Sequence, residues 1–388
     1  MRLLFTTVPG ASHLLPMVPL AHAALAAGHE VLVVSSGSAV PAAVGAGLHT
    51  VAATEESARP YERMAREFTE TSIGRDLPGP ELVAHFAAVF AEVGALMADE
   101  LVDTARTWGA EAVVYTAPHV AGLLTARALG VPAVLHGLGT RRPTFGPALA
   151  ALAPVARRMG VAELPEADVE LDLSPASLRT IHQDSPHQAR FAHSFAMRYA
   201  PYNGGARLPD WLLRGGERPR VAVTLGSLPA IYGDGALLRD IVDGTAELDL
   251  DLVLTTGGAE VTALPSPLPD HVRVVDWIPL NALLATCAAV VHHGGMGTMY
   301  AAFDAGVPQL SIPVTGTDSV ANAQVAVARG AGLLLDAEDA GGVGDALREL
   351  LKNPAYGQAS VEVSAEMRAM PTPAVVVDQL RAAVEDTP

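Results

Sequence analysis

Apolar residues along this chain come in short dense runs, each followed by a Gly/Pro turn and then an Ala/Leu-rich stretch with helical spacing. Residues 3–8 form the first run, and Pro9, Gly10, Ala11 and Ser12 make the turn. A helix follows over 14–27, closed by Gly28, before 31–34 resumes as a strand. The cycle repeats with a run at 112–115, a turn through Pro118, a helix near 120–129, Gly130, and a run at 131–135. The later half carries similar runs at 221–225, 252–255, 272–275, 288–291 and 309–312. Strands that lack polar alternation and alternate with helices predict α/β architecture, with parallel sheets covered on both faces.

Two such sets need two sheets, and the rhythm breaks between them. The stretch 199–220 holds Pro201, Gly204, Gly205, Pro209, Gly215, Gly216 and Pro219, which disfavours helix or strand. We therefore expect a first domain over 1–200, a linker over 201–220 and a second domain over 221–373. At ~100–200 residues per domain, a chain of 388 suits that division. The polar excursions 55–80 and 141–186 read equally as pocket walls or lids and as plain surface insertions.

Charge narrows the chemistry. Lys and Arg number 25 against 42 Asp and Glu, a net charge of −17, so nothing draws the chain to nucleic acid or to an anionic membrane. A bound phosphate must then be held by local geometry. The single cysteine, Cys287, excludes an intrachain disulfide and a thiolate metal cluster and suits a reducing cytoplasm. Residues 1–28 imitate a signal peptide, but His13, Pro16 and Pro19 interrupt it, and no apolar run reads as long enough to span a bilayer. The expected location is cytoplasmic. His182, His187 and His193 share a polar stretch at spacings that do not put them on one helical face, so no metal site is expected there.

The most informative segment is 288–305, where a buried strand runs into His292 and His293, through Gly294 and Gly295, to a helix starting near Thr298. Glycines let backbone approach a ligand, and the first helical turn offers unpaired N–H groups and the positive end of the macrodipole. His293 and the Thr298 hydroxyl add donors. The plain alternative is a tight turn with Thr298 as an ordinary N-cap. Gly226 and Ser227 follow another strand, at the end where open α/β sheets bind ligands. Trp277 also follows a strand, where an indole can either stack on a base or simply fill the core.

Thr224-Leu-Gly-Ser227, Trp277-Ile-Pro, His292-His-Gly-Gly-Met-Gly-Thr298 and Ala305-Gly-Val-Pro-Gln309 resemble family 1 glycosyltransferases of the GT-B fold. Arg198-Tyr-Ala-Pro-Tyr-Asn-Gly204 is similar to what the bacterial enzymes that attach deoxysugars to polyketide antibiotics carry there. The resemblance implies two facing Rossmann-like domains, acceptor on the first and sugar nucleotide on the second, with a last helix over 374–388 crossing back. It implies that Trp277 stacks on the base, the Ile278 backbone pairs with the base edge, and Asp318 contacts sugar hydroxyls. Ser227, His293, Thr298 and the amides at Gly295 and Gly297 would hold the diphosphate. Asp318-Ser319 replaces the frequent Asp-Gln, consistent with a deoxysugar.

The implied reaction is an inverting transfer of a deoxysugar from a TDP-sugar to a hydrophobic polyketide-type aglycone, with no cofactor and no metal. His13, in the first strand–helix turn, would be the general base; an imidazole of ordinary pKa ~6.5 suits that work. From position alone it could equally be a polar helix cap. Relatives commonly place an orienting Asp near Tyr115, Thr116 and Ala117, and no acid stands there. Alternative functions are a GT-B sugar-nucleotide epimerase and a non-catalytic glycosyltransferase-like helper. A homodimer is allowed, and some relatives need an auxiliary protein.

Overall fold

The run Leu3, Leu4, Phe5 has essentially no solvent exposure, as a parallel strand covered by helices on both faces must. The computed structural model describes residues 1–70, 79–141, 144–179, 191–214, 216–226, 235–314 and 317–386. Among these, two wholly parallel sheets form. The first has seven strands: β1 (Arg2–Thr6), β2 (Glu30–Ser35), β3 (Thr50–Ala52), β4 (Ala112–Thr116), β5 (Ala133–His136), β6 (Val169–Asp172) and β7 (His193–Ala196), in spatial order 3-2-1-4-5-6-7. The second has six: β8 (Arg220–Thr224), β9 (Asp251–Thr255), β10 (Val272–Val275), β11 (Ala289–His292), β12 (Gln309–Ser311) and β13 (Gly332–Leu334), in order 10-9-8-11-12-13.

Each sheet reverses its winding once, between β1 and β4 in the first and between β8 and β11 in the second. Such switch points open a crevice beyond the carboxyl ends of the strands. Between β7 and β8 only the single-turn helix Asp210–Leu213 forms among the described residues. The last helix, Pro373–Asp386, lies against Val18–Ala26 of the first domain, and Val376, Val377 and Leu380 join Leu20, Ala21 and Ala24 in one buried cluster. Met299, Tyr300 and Phe303 of the second domain belong to the same cluster, so apolar burial binds the domains together.

Two expectations need correction. The excursion 141–186 contains a helix, Gly146–Arg158, and the strand β6, while 180–190 lies outside the described residues, His182 and His187 with it. The helix Gly79–Trp108 is long and apolar enough, by length and composition, to cross a membrane. Its face bearing Val93, Met97, Leu101 and Ala105 is instead buried against neighbouring helices, and Glu92 and Asp99 pair with Arg63 and Arg158 at 3.0 and 2.9 Å. Those scattered charges hide the run in a local reading.

Candidate active site

The two switch points meet at one cavity of about 880 Å³. His13, the apolar residues Tyr61, Phe86, Phe90 and Phe145, and His136 line it from the first domain. Gly226, Trp277, Ile278, His293, Gly295, Gly297, Thr298 and Asp318 line it from the second.

His13 stands past β1 in the single-turn helix Ala11–Leu14 rather than in the expected turn before a helix, and it has little freedom. A Cβ on Gly10 would come within 2.5 Å of the Tyr61 hydroxyl, and the amide of Ala11 donates to Ser38 Oγ at 3.0 Å. The Tyr61 ring meets the imidazole edge-to-face at 6.0 Å. His13 Nδ1 is buried and makes no hydrogen bond among the described residues. Burial pulls the His13 pKa down to about 4, and the Asp318 carboxylate of the other domain acts against that fall. The charge acting on His13 thus comes from across the cleft. On its own side the neighbour is His119, just past β4, where the sequence offers no acid. His119 Nε2 lies 2.9 Å from Thr6 Oγ1, whose own proton goes to the Val34 carbonyl, so Nε2 is the donor. That ring too is kept neutral, held down to about 3 by burial and then by His13.

On the opposite wall His293 is held between two glycines. A Cβ on Gly226 would lie 2.7 Å from His293 Cε1, and one on Gly295 would lie 2.3 Å from Nε2. Gly226 also has φ +98°, which a side chain would strain. Gly294, at φ +83°, fits its missing Cβ against the Ser319 carbonyl, and Asn322 Nδ2 donates to the Gly294 carbonyl at 3.0 Å. Burial lowers the His293 pKa to about 4.

The helix Met296–Ala305 starts two residues before the expected Thr298. Gly295 is its N-cap with no side-chain cap bond, and no acidic residue stands in the first turn. The N–H groups of Met296, Gly297 and Thr298 therefore have no intrahelical acceptor and sit at the positive helix end, facing a cavity. Thr298 is the third helical residue rather than the N-cap, which corrects the plain alternative.

Trp277 is 51% exposed at the cavity rim, so it is not a core residue, while Ile278 beside it is buried. Asp318 is exposed in the cavity wall, at the start of the helix Thr317–Ala328. Ser227 lies outside the described residues, which end at its neighbour Gly226. All the other expected site residues border the one cavity. His119, His136 and Asn322 escaped the sequence reading: none sits in a local motif, and His119 and Asn322 act through partners distant in sequence, Thr6 and Gly294, while His136 bonds its neighbour Gly137. Among the described residues no group of three His, Cys, Asp or Glu side chains could hold a metal ion. Cys287 is partly buried, with burial raising its thiol pKa to about 12.

Comparison with known proteins places this geometry. Residues 22–226 match the N-terminal domain, and 239–383 the C-terminal domain, of the erythromycin biosynthesis protein CIII-like family. The elloramycin glycosyltransferase ElmGT of Streptomyces olivaceus is 36% identical, over 99% of this chain and 97% of its own. The crystal structure of the glycosyltransferase SnogD from Streptomyces nogalater superposes with a TM-score of 0.81 at 38% identity, covering 99% of each chain. The spinosyn rhamnosyltransferase SpnG complexed with thymidine diphosphate gives 0.81 at 30% identity, covering 98% of this chain and 100% of its own, and SpnG is also known with spinosyn aglycone bound. The chain thus belongs to the erythromycin biosynthesis protein CIII-like family and is a family 1 antibiotic glycosyltransferase of the GT-B fold.

Proposed function

We propose that the chain transfers a deoxysugar from a TDP-sugar to a polyketide-type aglycone with inversion at the anomeric carbon. His13 takes the proton of the acceptor hydroxyl as its oxygen bonds to that carbon. The bond from carbon to the diphosphate breaks, and its electron pair leaves with TDP. The single observation that carries this reading is the shared cavity, which joins an imidazole beside an aromatic wall to an uncapped helix start beside an exposed indole.

With its pKa near 4, His13 holds the unprotonated form at neutral pH, but it is a weaker base than the ordinary imidazole expected from the sequence. The Asp318 charge that opposes its fall favours the imidazolium formed when the proton arrives. The charge growing on TDP meets helix N–H groups and the His293 ring, which are oriented before reaction and need little reorganisation. Trp277 offers its face to the base, the Ile278 backbone its edge, and Asp318 a carboxylate to sugar hydroxyls. Ser227 completes the phosphate contacts in this reading. The SpnG complexes with thymidine diphosphate and with aglycone support a donor site and an acceptor site of these kinds.

The test combines a panel of TDP-deoxysugars and polyketide aglycones with mass spectrometry of the products and NMR assignment of the new anomeric centre. Inverted glycosides are expected, and the His13→Ala variant should lose about 10²–10⁴-fold in kcat. Release of an epimerised TDP-sugar without aglycone, retention of configuration, or an undiminished His13→Ala rate would each overturn the proposal.

A further inference from the structure

A third histidine borders the cavity, and its hydrogen bonding fixes what it can do. His136 ends β5, at the carboxyl edge of the first sheet. Its Nδ1 lies 2.6 Å from the Gly137 carbonyl oxygen. A carbonyl can only accept, so Nδ1 carries the proton, and a neutral ring then leaves a bare lone pair on Nε2. The ring is fully buried, and burial pulls its pKa to about 4, against the raising effect of that carbonyl. Nε2 is buried with no partner among the described residues, yet the residue lines the cavity. A buried acceptor without a donor is costly, and an aglycone hydroxyl entering this wall would supply one.

The surroundings say what kind of molecule brings that hydroxyl. Phe86 and Phe90 stack at 6.0 Å with their planes 10° apart, and Phe145 meets Phe90 edge-on at 5.9 Å. All three line the same cavity, on the side of the domain that bears His13. Such a surface favours a flat aromatic body.

We propose that His136 is a specificity-determining residue, whose Nε2 accepts a hydrogen bond from a hydroxyl of a planar aromatic acceptor and so sets which face of that acceptor reaches His13. The assignment rests on the reading of the first-domain wall as the acceptor site. It deepens that reading by giving the substrate class and one polar contact. An aglycone lacking this hydroxyl leaves the Nε2 lone pair unpaired, as it is in the free protein, so discrimination comes from the bond that the hydroxylated ligand alone supplies.

The experiment pairs a ligand change with a residue change on the full chain saturated with TDP. Binding of a hydroxyanthraquinone and of the anthraquinone parent lacking its hydroxyl is measured by calorimetry to wild type, His136→Asn and His136→Gln. Asn keeps an amide donor near the Nδ1 position and has nothing at Nε2, whereas Gln reaches the Nε2 position with an acceptor oxygen. Wild type should bind the hydroxylated probe about 10–100-fold more tightly than the parent. His136→Asn should erase that preference by weakening the hydroxylated probe far more than the parent, and His136→Gln should restore part of it. TDP affinity, unchanged in both variants, reports that they fold. The ring ¹⁵N spectrum gives a second reading: Nδ1 should be protonated in the free protein, and the Nε2 resonance should move when the hydroxylated probe is added. An Nε2-protonated ring, or equal weakening of both probes in His136→Asn, overturns the assignment and leaves the acceptor reading standing. Failure of both probes to bind wild type overturns the two together.

Discussion

Adding one methyl group at Gly295 tests the diphosphate cradle with little else disturbed. Gly295 has φ −65° and ψ 136°, an extended conformation that alanine adopts without strain, so backbone conformation is not the variable. The new Cβ would sit 2.3 Å from His293 Nε2 and 2.6 Å from Cε1. An ordinary carbon–nitrogen contact is roughly 3.4 Å, so the ring must shift by about 1 Å. It cannot shift towards Gly226, whose backbone already approaches closely enough that a Cβ there would lie 2.7 Å from the ring. Displacement of a positioned group by about 1 Å costs about 10²-fold in rate, which corresponds to about 2.7 kcal/mol. Gly295→Ala should therefore lower kcat/KM for the TDP-sugar by about two orders of magnitude and weaken TDP binding measured by calorimetry. Stability should fall by about 1–3 kcal/mol, the usual cost of overpacking a confined side chain. The double variant with His293→Ala gives the decisive reading. If the methyl acts by displacing the imidazole, it costs nothing further once that ring is gone. Donor affinity and rate within twofold of wild type in the single variant, or strictly additive losses in the double, would refute the reasoning.

Two further outcomes follow from burial. His119, His136 and His292 are fully buried with pKa values lowered to about 3, 4 and 3, from an ordinary 6.5. Below about pH 6.5 the unfolded chain binds protons that the folded chain refuses. Stability should therefore drain away as pH falls towards 4, by about 2 kcal/mol per site at pH 5. Urea titrations at pH 7 and pH 5 check this, and a midpoint that does not move would contradict it. Leu380 is fully buried where the last helix meets the first domain. Leu380→Ala should cost about 2–5 kcal/mol in chemical denaturation, and a cost below about 1 kcal/mol would mean that this helix is not integral to the fold.

Much of the architecture can be read locally, because a buried parallel strand must be apolar along its length and must meet a turn and a helix at its ends. The strands β1, β4, β8 and β11 and the glycine turn before the helix Met296–Ala305 announce themselves in this way. β6 does not. Its Glu170 and Asp172 are buried, and Glu170 is tolerated because Arg141 and Ser194 reach it from elsewhere in the chain. β3 and β13, of three residues each, carry too little pattern to register.

The candidate chemistry divides in a similar way. Residue type, spacing and strand–turn–helix order mark His13, His293 and the glycine turn before the helix as candidates; the family resemblance is what points to His13 as the base, and the structure is what shows the helix starting uncapped at Met296. Whether Trp277 packs in the core or borders the cleft, how Asp318 acts on His13 from the opposite domain, and which nitrogen of His119 carries the proton all depend on atoms tens to hundreds of residues away. Burial, charge coupling and tautomer are properties of a three-dimensional neighbourhood. Until the two switch points close over the same space, no local pattern can encode them.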